Sequence, residues 1–125
     1  MNDVTTKQLL EAYYQGLSGN GGWETVLSDD FKFIGGNMLQ ATPVTGKPAY
    51  IEVLNRFSRV FENVRVKEMI IEGDNAAVIA NYDLVFSNGT AVNGNVAEFW
   101  KVKKGKLDSL TIFFDTHTFF VNAPK

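Results

Sequence analysis

From residue 63 onward the chain stops spacing its apolar residues for helices and begins to alternate them. Four runs follow one another: VRVKEMIIEG (64–73), AAVIANYDLVF (76–86), AVNGNVAEFWKV (91–102) and LDSLTIFFDTHTFFV (107–121). Only GDN, SNGT and KKGK mark the breaks, and Asn88-Gly89 is a strong tight-turn pair. Strands joined by turns this short pair antiparallel with their neighbours. The second half is therefore expected to be an antiparallel meander, with the last run a strand through residue 121.

The first half reads differently. Leu10, Tyr13, Tyr14 and Leu17 recur at helical spacing, so residues 5 to about 17 are expected to form an amphipathic helix capped by Thr5 or Thr6. GLSGNGG, with four glycines, breaks the chain, and WETVLS forms a short second helix. FKFIGG (31–36) is a short strand and NMLQATPVTG a loop. Pro48 suits the first turn of a third helix, whose face is Tyr50, Leu54, Phe57 and Phe61. Helices followed by a meander make an α+β fold, and 125 residues suit one domain spanning 1–125.

Composition removes several function classes. The chain has no cysteine and one histidine, so thiolate chemistry, zinc–thiolate sites and a multi-histidine metal centre are excluded. A net charge of −2 without a basic stripe argues against nucleic acid. Lys101, Lys103, Lys104 and Lys106 around Gly105 read as a solvated hairpin turn. MNDVTTKQLL has no signal-peptide pattern and no apolar run reaches membrane-spanning length, so a cytoplasmic protein without a membrane partner is expected. Ten phenylalanines suggest an interior with wide flat walls or a cavity lined by rings.

Alternate residues of a strand share a face. Ser109, Thr111, Phe113, Asp115 and His117 fall on one face of the last run. Ala77, Ile79, Asn81, Asp83 and Val85 share a face, opposite the nearly all-apolar Val78, Ala80, Tyr82, Leu84 and Phe86. Val96, Glu98, Trp100 and Val102 fall together. Faces that are apolar with one or two acids suit a cavity wall, since a charge is costly to bury unpaired. A carboxyl at Asp115 among Phe113, Phe114 and Trp100 would be desolvated, with a pKa raised by up to about 3–5 units if fully buried. A neighbouring His117 imidazolium would hold it ionised instead, and the two would titrate as a pair. The competing role for Asp115 is that of an acceptor of backbone or tyrosine hydrogen bonds. For His117 it is a dimer edge, for Tyr13 and Tyr14 the core, and for Trp23 a packing anchor.

The motifs LLEAYYQGL, LSDDFKF, VTGKPAYIEVLNRF and EFWKVKKGKLDSLTIFFD, in this order, resemble the nuclear transport factor two-like superfamily, which includes SnoaL-like and ketosteroid isomerase-like proteins. The resemblance covers nearly the whole chain. It implies a cone: a curved antiparallel sheet wrapped around three N-terminal helices, with a pocket at the open end and frequent homodimerisation. By resemblance to the limonene epoxide hydrolase-like members, Asp115 and Asp83 fall near the two catalytic acids, with Asn81 in the arginine's place. By resemblance to ketosteroid isomerases, Glu98 matches the acid of the oxyanion hole and Tyr13 or Tyr14 its tyrosine, while Gly35 or a neighbour replaces the base. By resemblance to SnoaL-type cyclases, Asp115 is the pocket acid with His117 beside it. The expected function is therefore cofactor-free acid/base chemistry on a hydrophobic oxygenated small molecule. Asp115, Asp83 and His117 are the catalytic candidates, and Tyr13, Tyr14, Trp23, Asn81, Glu98, Trp100 and Phe113 the pocket candidates. The alternatives are a ligand-binding protein without chemistry and a dimerisation or protein-interaction module, for which the apolar side of VIANYDLVF would serve as a homodimer face. The loop 35–46 is either a lid or a passive connector.

Overall fold

A computed structural model describes residues 5–35 and 43–122. The first helix, α1, runs Thr6–Gln15, and Thr5 caps it: Gln8 N donates to Thr5 Oγ1 at 3.1 Å while Thr5 N donates to Gln8 Oε1 at 2.9 Å. Each of these two bonds satisfies a group that helix geometry leaves open. Its buried face is Leu9, Leu10, Tyr13 and Tyr14. Regular winding stops two residues earlier than the apolar spacing suggests and passes into a wider turn at Gly16–Asn20, where Gly19 sits at φ 125°.

A tight 3-10 turn, Trp23–Val26, takes the place of the expected second helix. Strand β1 spans Leu27–Gly35, β2 is Val44–Thr45, and α2 is Lys47–Phe57 with Pro48 in its first turn. Phe61, expected on the α2 face, instead begins β3 (Phe61–Glu72). Strands β4 (Asn75–Val85), β5 (Ala91–Lys103) and β6 (Lys106–Phe113) follow.

The last strand ends well short of residue 121. Residues Thr116–Asn122 form a helix, α3, and Asp115 caps its start. Thr118 N donates to Asp115 Oδ1 at 3.0 Å and Thr118 Oγ1 donates to Oδ2 at 2.7 Å. That local cap, together with Phe119 packing edge-on against Phe86 and Phe114, outweighs the strand preference of the Thr/Phe/Val run.

The strands form one six-stranded sheet in the order β2-β1-β6-β5-β4-β3. The meander β3–β6 is antiparallel as expected, whereas β1 lies parallel to β6, so the sheet is mixed. Register breaks between Val66 and Glu68, and between Lys101 and Val102, mark bulges that bend the strands. The curved sheet with its helices is an α+β, cone-like arrangement. Its inner face carries Val64, Val78, Ala80, Tyr82, Trp100 and Leu110 onto α1, Phe31 and Tyr50. The apolar side of VIANYDLVF is thus interior wall, which corrects its assignment as a homodimer face. Among the described residues no helix is long and apolar enough to cross a membrane.

Candidate functional site

Glu98 lies in the middle of β5 and points inward, with only 4% of its surface exposed. The β4–β5 register sets it opposite Val78, four residues from Tyr82 on the same inner face. Tyr14 donates its phenol proton to Glu98 Oε1, and Tyr82 Oη donates to Oε2 at 2.8 Å. Trp100 Nε1 donates to Tyr14 Oη at 3.1 Å. Beside this group, the hydroxyls of Tyr13 and Tyr50 share a hydrogen bond of 2.5 Å. The rings interlock: Tyr13 meets Trp100 at 4.7 Å between centroids and Trp23 at 6.1 Å, both edge-on.

Burial pushes the Glu98 carboxyl up from 4.5 to about 7, against the opposing pull of the Tyr14 and Tyr82 hydrogen bonds. Desolvation outweighs two donors because an ion in this apolar shell has lost its water. The same burial raises the phenols of Tyr13, Tyr14, Tyr50 and Tyr82, so all four stay protonated at neutral pH. The arrangement is a carboxyl poised to exchange a proton near neutrality, held by phenols that donate. Tyr13, Tyr14, Trp23, Glu98 and Trp100, five of the residues picked from the sequence, come together here.

The other candidates lie elsewhere. Asn81, Asp83 and Phe113 are on the outer face of the sheet. There Arg65 on β3 donates from Nη1 to Asn81 and from Nη2 to Asp83 Oδ2 at 2.5 Å. Asn93 Nδ2 donates to Asn81 Oδ1 and Asp83 Oδ1, each at 2.7 Å. The hydrogen bonds from Arg65 and then Asn93 hold the Asp83 carboxyl below its ordinary value. An arginine does stand beside Asp83, but it comes from the neighbouring strand and faces away from Glu98. An open depression of about 590 Å³ on this outer side touches Glu62, Asp83, Val85, Ala91 and Asn93.

Asp115 and His117 are both exposed at the start of α3. Hydrogen bonds from the Thr118 backbone and side chain are the main reason the Asp115 carboxyl sits below its ordinary value, the reverse of the shift expected for a pocket acid. Its position is that of the backbone-bonding role weighed against catalysis. The expected lid falls mostly on residues 36–42, outside the described residues. Among the described residues no group of three or more His, Asp or Glu side chains could hold a metal ion.

Two members of the inner group, Tyr82 and Tyr50, read from the sequence as core residues and not as site candidates. The signal for Tyr82 was present: it shares its face with Val78, and the turn at Asn88-Gly89 sets that face against Glu98. Arg65 was likewise readable as the cross-strand neighbour of Asn81.

This fold, a bent sheet closing over α1 and α2, is that of the nuclear transport factor two-like proteins. No protein-family model matches the chain, and no curated protein matches it. Solved structures do. An NTF2-like protein of unknown function from Burkholderia pseudomallei K96243 aligns over 100% of both chains with a TM-score of 0.82 at 15% identity. A SnoaL-like polyketide cyclase, so described for Jannaschia sp. CCS1, aligns over 100% of this chain and 98% of its own, with a TM-score of 0.77 and 19% identity. TerC, co-crystallized with polyporic acid, aligns over 93% of this chain and 95% of its own, with a TM-score of 0.79 and 19% identity.

Proposed function

We propose that this chain binds a hydrophobic, oxygenated small molecule in the interior of the sheet and moves a proton on it without a cofactor. The observation that carries the reading is Glu98: a carboxyl buried among rings, raised to about 7, and contacted by two phenol donors. Near neutral pH such a group is present in both acid and base forms, which is the condition for efficient proton transfer. Half-buried Trp23, Phe33, Leu54, Phe57 and Phe61 pack around the inner cluster and would receive an apolar ligand. Likeness to a SnoaL-like cyclase and to a protein crystallised with polyporic acid supports the same ligand class. The acid/base role falls to Glu98, because Asp115 is exposed, Asp83 lies half-exposed on the outer face, and hydrogen bonds hold both carboxyls below their ordinary values.

The test is solvent deuterium exchange at the α-carbons of 2-tetralone, followed by NMR. The unmodified chain should accelerate exchange, and Glu98→Gln should lose roughly 10²–10⁴-fold of that acceleration. Binding of the ketone with no exchange would leave a binding protein without chemistry. Equal rates in both proteins would end the assignment to Glu98.

The outer sheet face supports a second copy of the chain as partner. Phe99 and Phe113 meet edge-on there, 6.0 Å between centroids, while 47% and 53% exposed, and Ile70 is 69% exposed. The Arg65–Asp83 pair, farther along the same outer face, offers both charges, which can complement those of a second copy about a twofold axis.

A further inference from the structure

We propose that Tyr82 is the hydroxyl that passes protons between Glu98 and a ligand, while Trp100 locks Tyr14 as a fixed donor; this deepens the acid/base reading above and rests on it. Hydrogen-bond direction separates the two phenols. An indole N–H can only donate. Trp100 Nε1 lies 3.1 Å from Tyr14 Oη, so that oxygen must accept, and the single Tyr14 proton is left to point at Glu98 Oε1. Tyr82 is not constrained in this way. Its oxygen is 2.8 Å from Oε2 and has no other hydrogen-bond partner among the described residues.

Now add a proton to Glu98. On Oε1 it would confront the Tyr14 proton, whose oxygen the indole already engages. On Oε2 it meets the Tyr82 oxygen, which has lone pairs free to accept it. The Tyr82 proton then turns off the carboxyl. Location gives that rotation a destination. Tyr82 packs edge-on against Phe57 and Phe61, at 5.9 and 6.2 Å, and both rings are half-buried. Tyr14 is instead enclosed by Tyr13 and Trp100. Tyr82 is therefore the phenol bordered by half-buried rings that a ligand could displace.

The proton count closes without a co-reactant. As a ligand oxyanion or enolate carbon takes the Tyr82 proton, the Glu98 carboxylic proton moves onto the Tyr82 oxygen. Glu98 ends ionised, Tyr82 ends neutral, and the ligand gains one proton. Abstraction is the reverse. The titratable groups that face Glu98 are phenols: Tyr13 and Tyr14 from α1, Tyr50 from α2 and Tyr82 from β4. Trp100 touches no reacting atom in this scheme and acts as a positioning residue.

The experiment needs no ligand. The full chain is labelled with 13C at tyrosine Cζ and glutamate Cδ and titrated by NMR from about pH 5 to 9, across the shifted range of a buried carboxyl. The four tyrosines are assigned by single Tyr→Phe variants, any three of which identify the fourth if one fails to fold. The Tyr82 Cζ signal should follow the Glu98 Cδ titration while Tyr14 stays flat. In Trp100→Phe, Tyr14 should begin to follow it as well. Tyr14 moving while Tyr82 stays flat would overturn the proposal, as would both moving equally in the unmodified chain, neither moving, or no Glu98 titration. Because 2-tetralone is absent, failure here is separable from failure of the exchange test.

Discussion

Tyr14 of α1 donates its phenol proton to Oε1 of Glu98 on β5, and this one bond ties the first helix to the strand that carries the buried acid. The neighbouring bond from Tyr82 brings in β4. The polar centre of the interior is thus also a joint between three elements, so its protonation state bears on stability.

The first prediction follows from that coupling. Glu98 has its carboxyl raised from 4.5 to about 7 in the folded chain. The folded state then holds the proton more tightly than the unfolded one. Stability from this group is fully present below about pH 4.5, falls as pH rises toward 7, and levels off above it. At about 1.4 kcal/mol per unit the loss is about 3 kcal/mol. Glu98→Gln has no proton to lose and should show no such fall. Urea unfolding of both proteins at the two ends of the window checks it. Parallel pH profiles would mean that Glu98 does not titrate there. Asp83 and Asp115, both lowered, lose stability only as pH falls below their ordinary range, so they leave this window clear.

Gly16 is the residue on which Trp23 rests. A Cβ built at Gly16 would meet Trp23 Cβ at 2.7 Å, its N at 2.9 Å and its Cα at 3.0 Å. Two of those atoms are backbone, so no rotamer change relieves the clash. The φ of −63° is ordinary, so the requirement is for space alone. Gly16→Ala should cost about 1–3 kcal/mol. It should also shift Trp23 away from Tyr13, which near-ultraviolet circular dichroism would detect. Unchanged stability and spectrum would show that the turn can move aside.

Asp115 should matter to α3 and little else. Asp115→Ala removes both bonds to Thr118 and should speed amide exchange in Thr116–Asn122 several-fold, leaving β3–β6 protected as before. Asp115→Asn keeps an acceptor oxygen and should restore most of the protection. If either variant abolished exchange at 2-tetralone while α3 stayed ordered, Asp115 would return as an acid of the site.

How much of this could be read beforehand depended on where local and distant forces agree. The meander was legible because alternation, Asn88-Gly89 and the short turns all favour the same pairing. The run after Phe113 was not, because Thr, Phe and Val favour a strand while the competing signal is a single short cap, Asp115 to Thr118. That misplacement moved Asp115 and His117 from a pocket wall to the protein surface. Glu98 and Trp100 stood out because an acid on an otherwise apolar face is costly and so informative, and Tyr14 through the resemblance to the ketosteroid isomerase tyrosine. Tyr82 escaped because a tyrosine on such a face looks like core. Only the cross-strand register shows its hydroxyl reaching a carboxyl. The parallel seat of β1 against β6 depends on a contact between the two ends of the chain, which no local pattern encodes.

The last prediction concerns the outer face. Phe99 and Phe113 meet edge-on in water on the face that also carries Ile70 and, farther along, the Arg65–Asp83 pair. Aromatic pairs left this exposed gain from burial against a second surface. A twofold axis would apply every side chain twice, so one substitution removes two contacts. Burying a phenylalanine is worth about 1.5–3 kcal/mol. Phe99 is already about half buried, so two lost contacts should weaken a dimer by roughly tenfold to a hundredfold. The unmodified chain should sediment as a dimer at high micromolar concentration and Phe99→Glu as a monomer, with its urea midpoint little changed because the site is half exposed. A monomeric unmodified chain would remove the second copy as partner. A dimer that persists in both Phe99→Glu and Phe113→Glu would place the contact on another face.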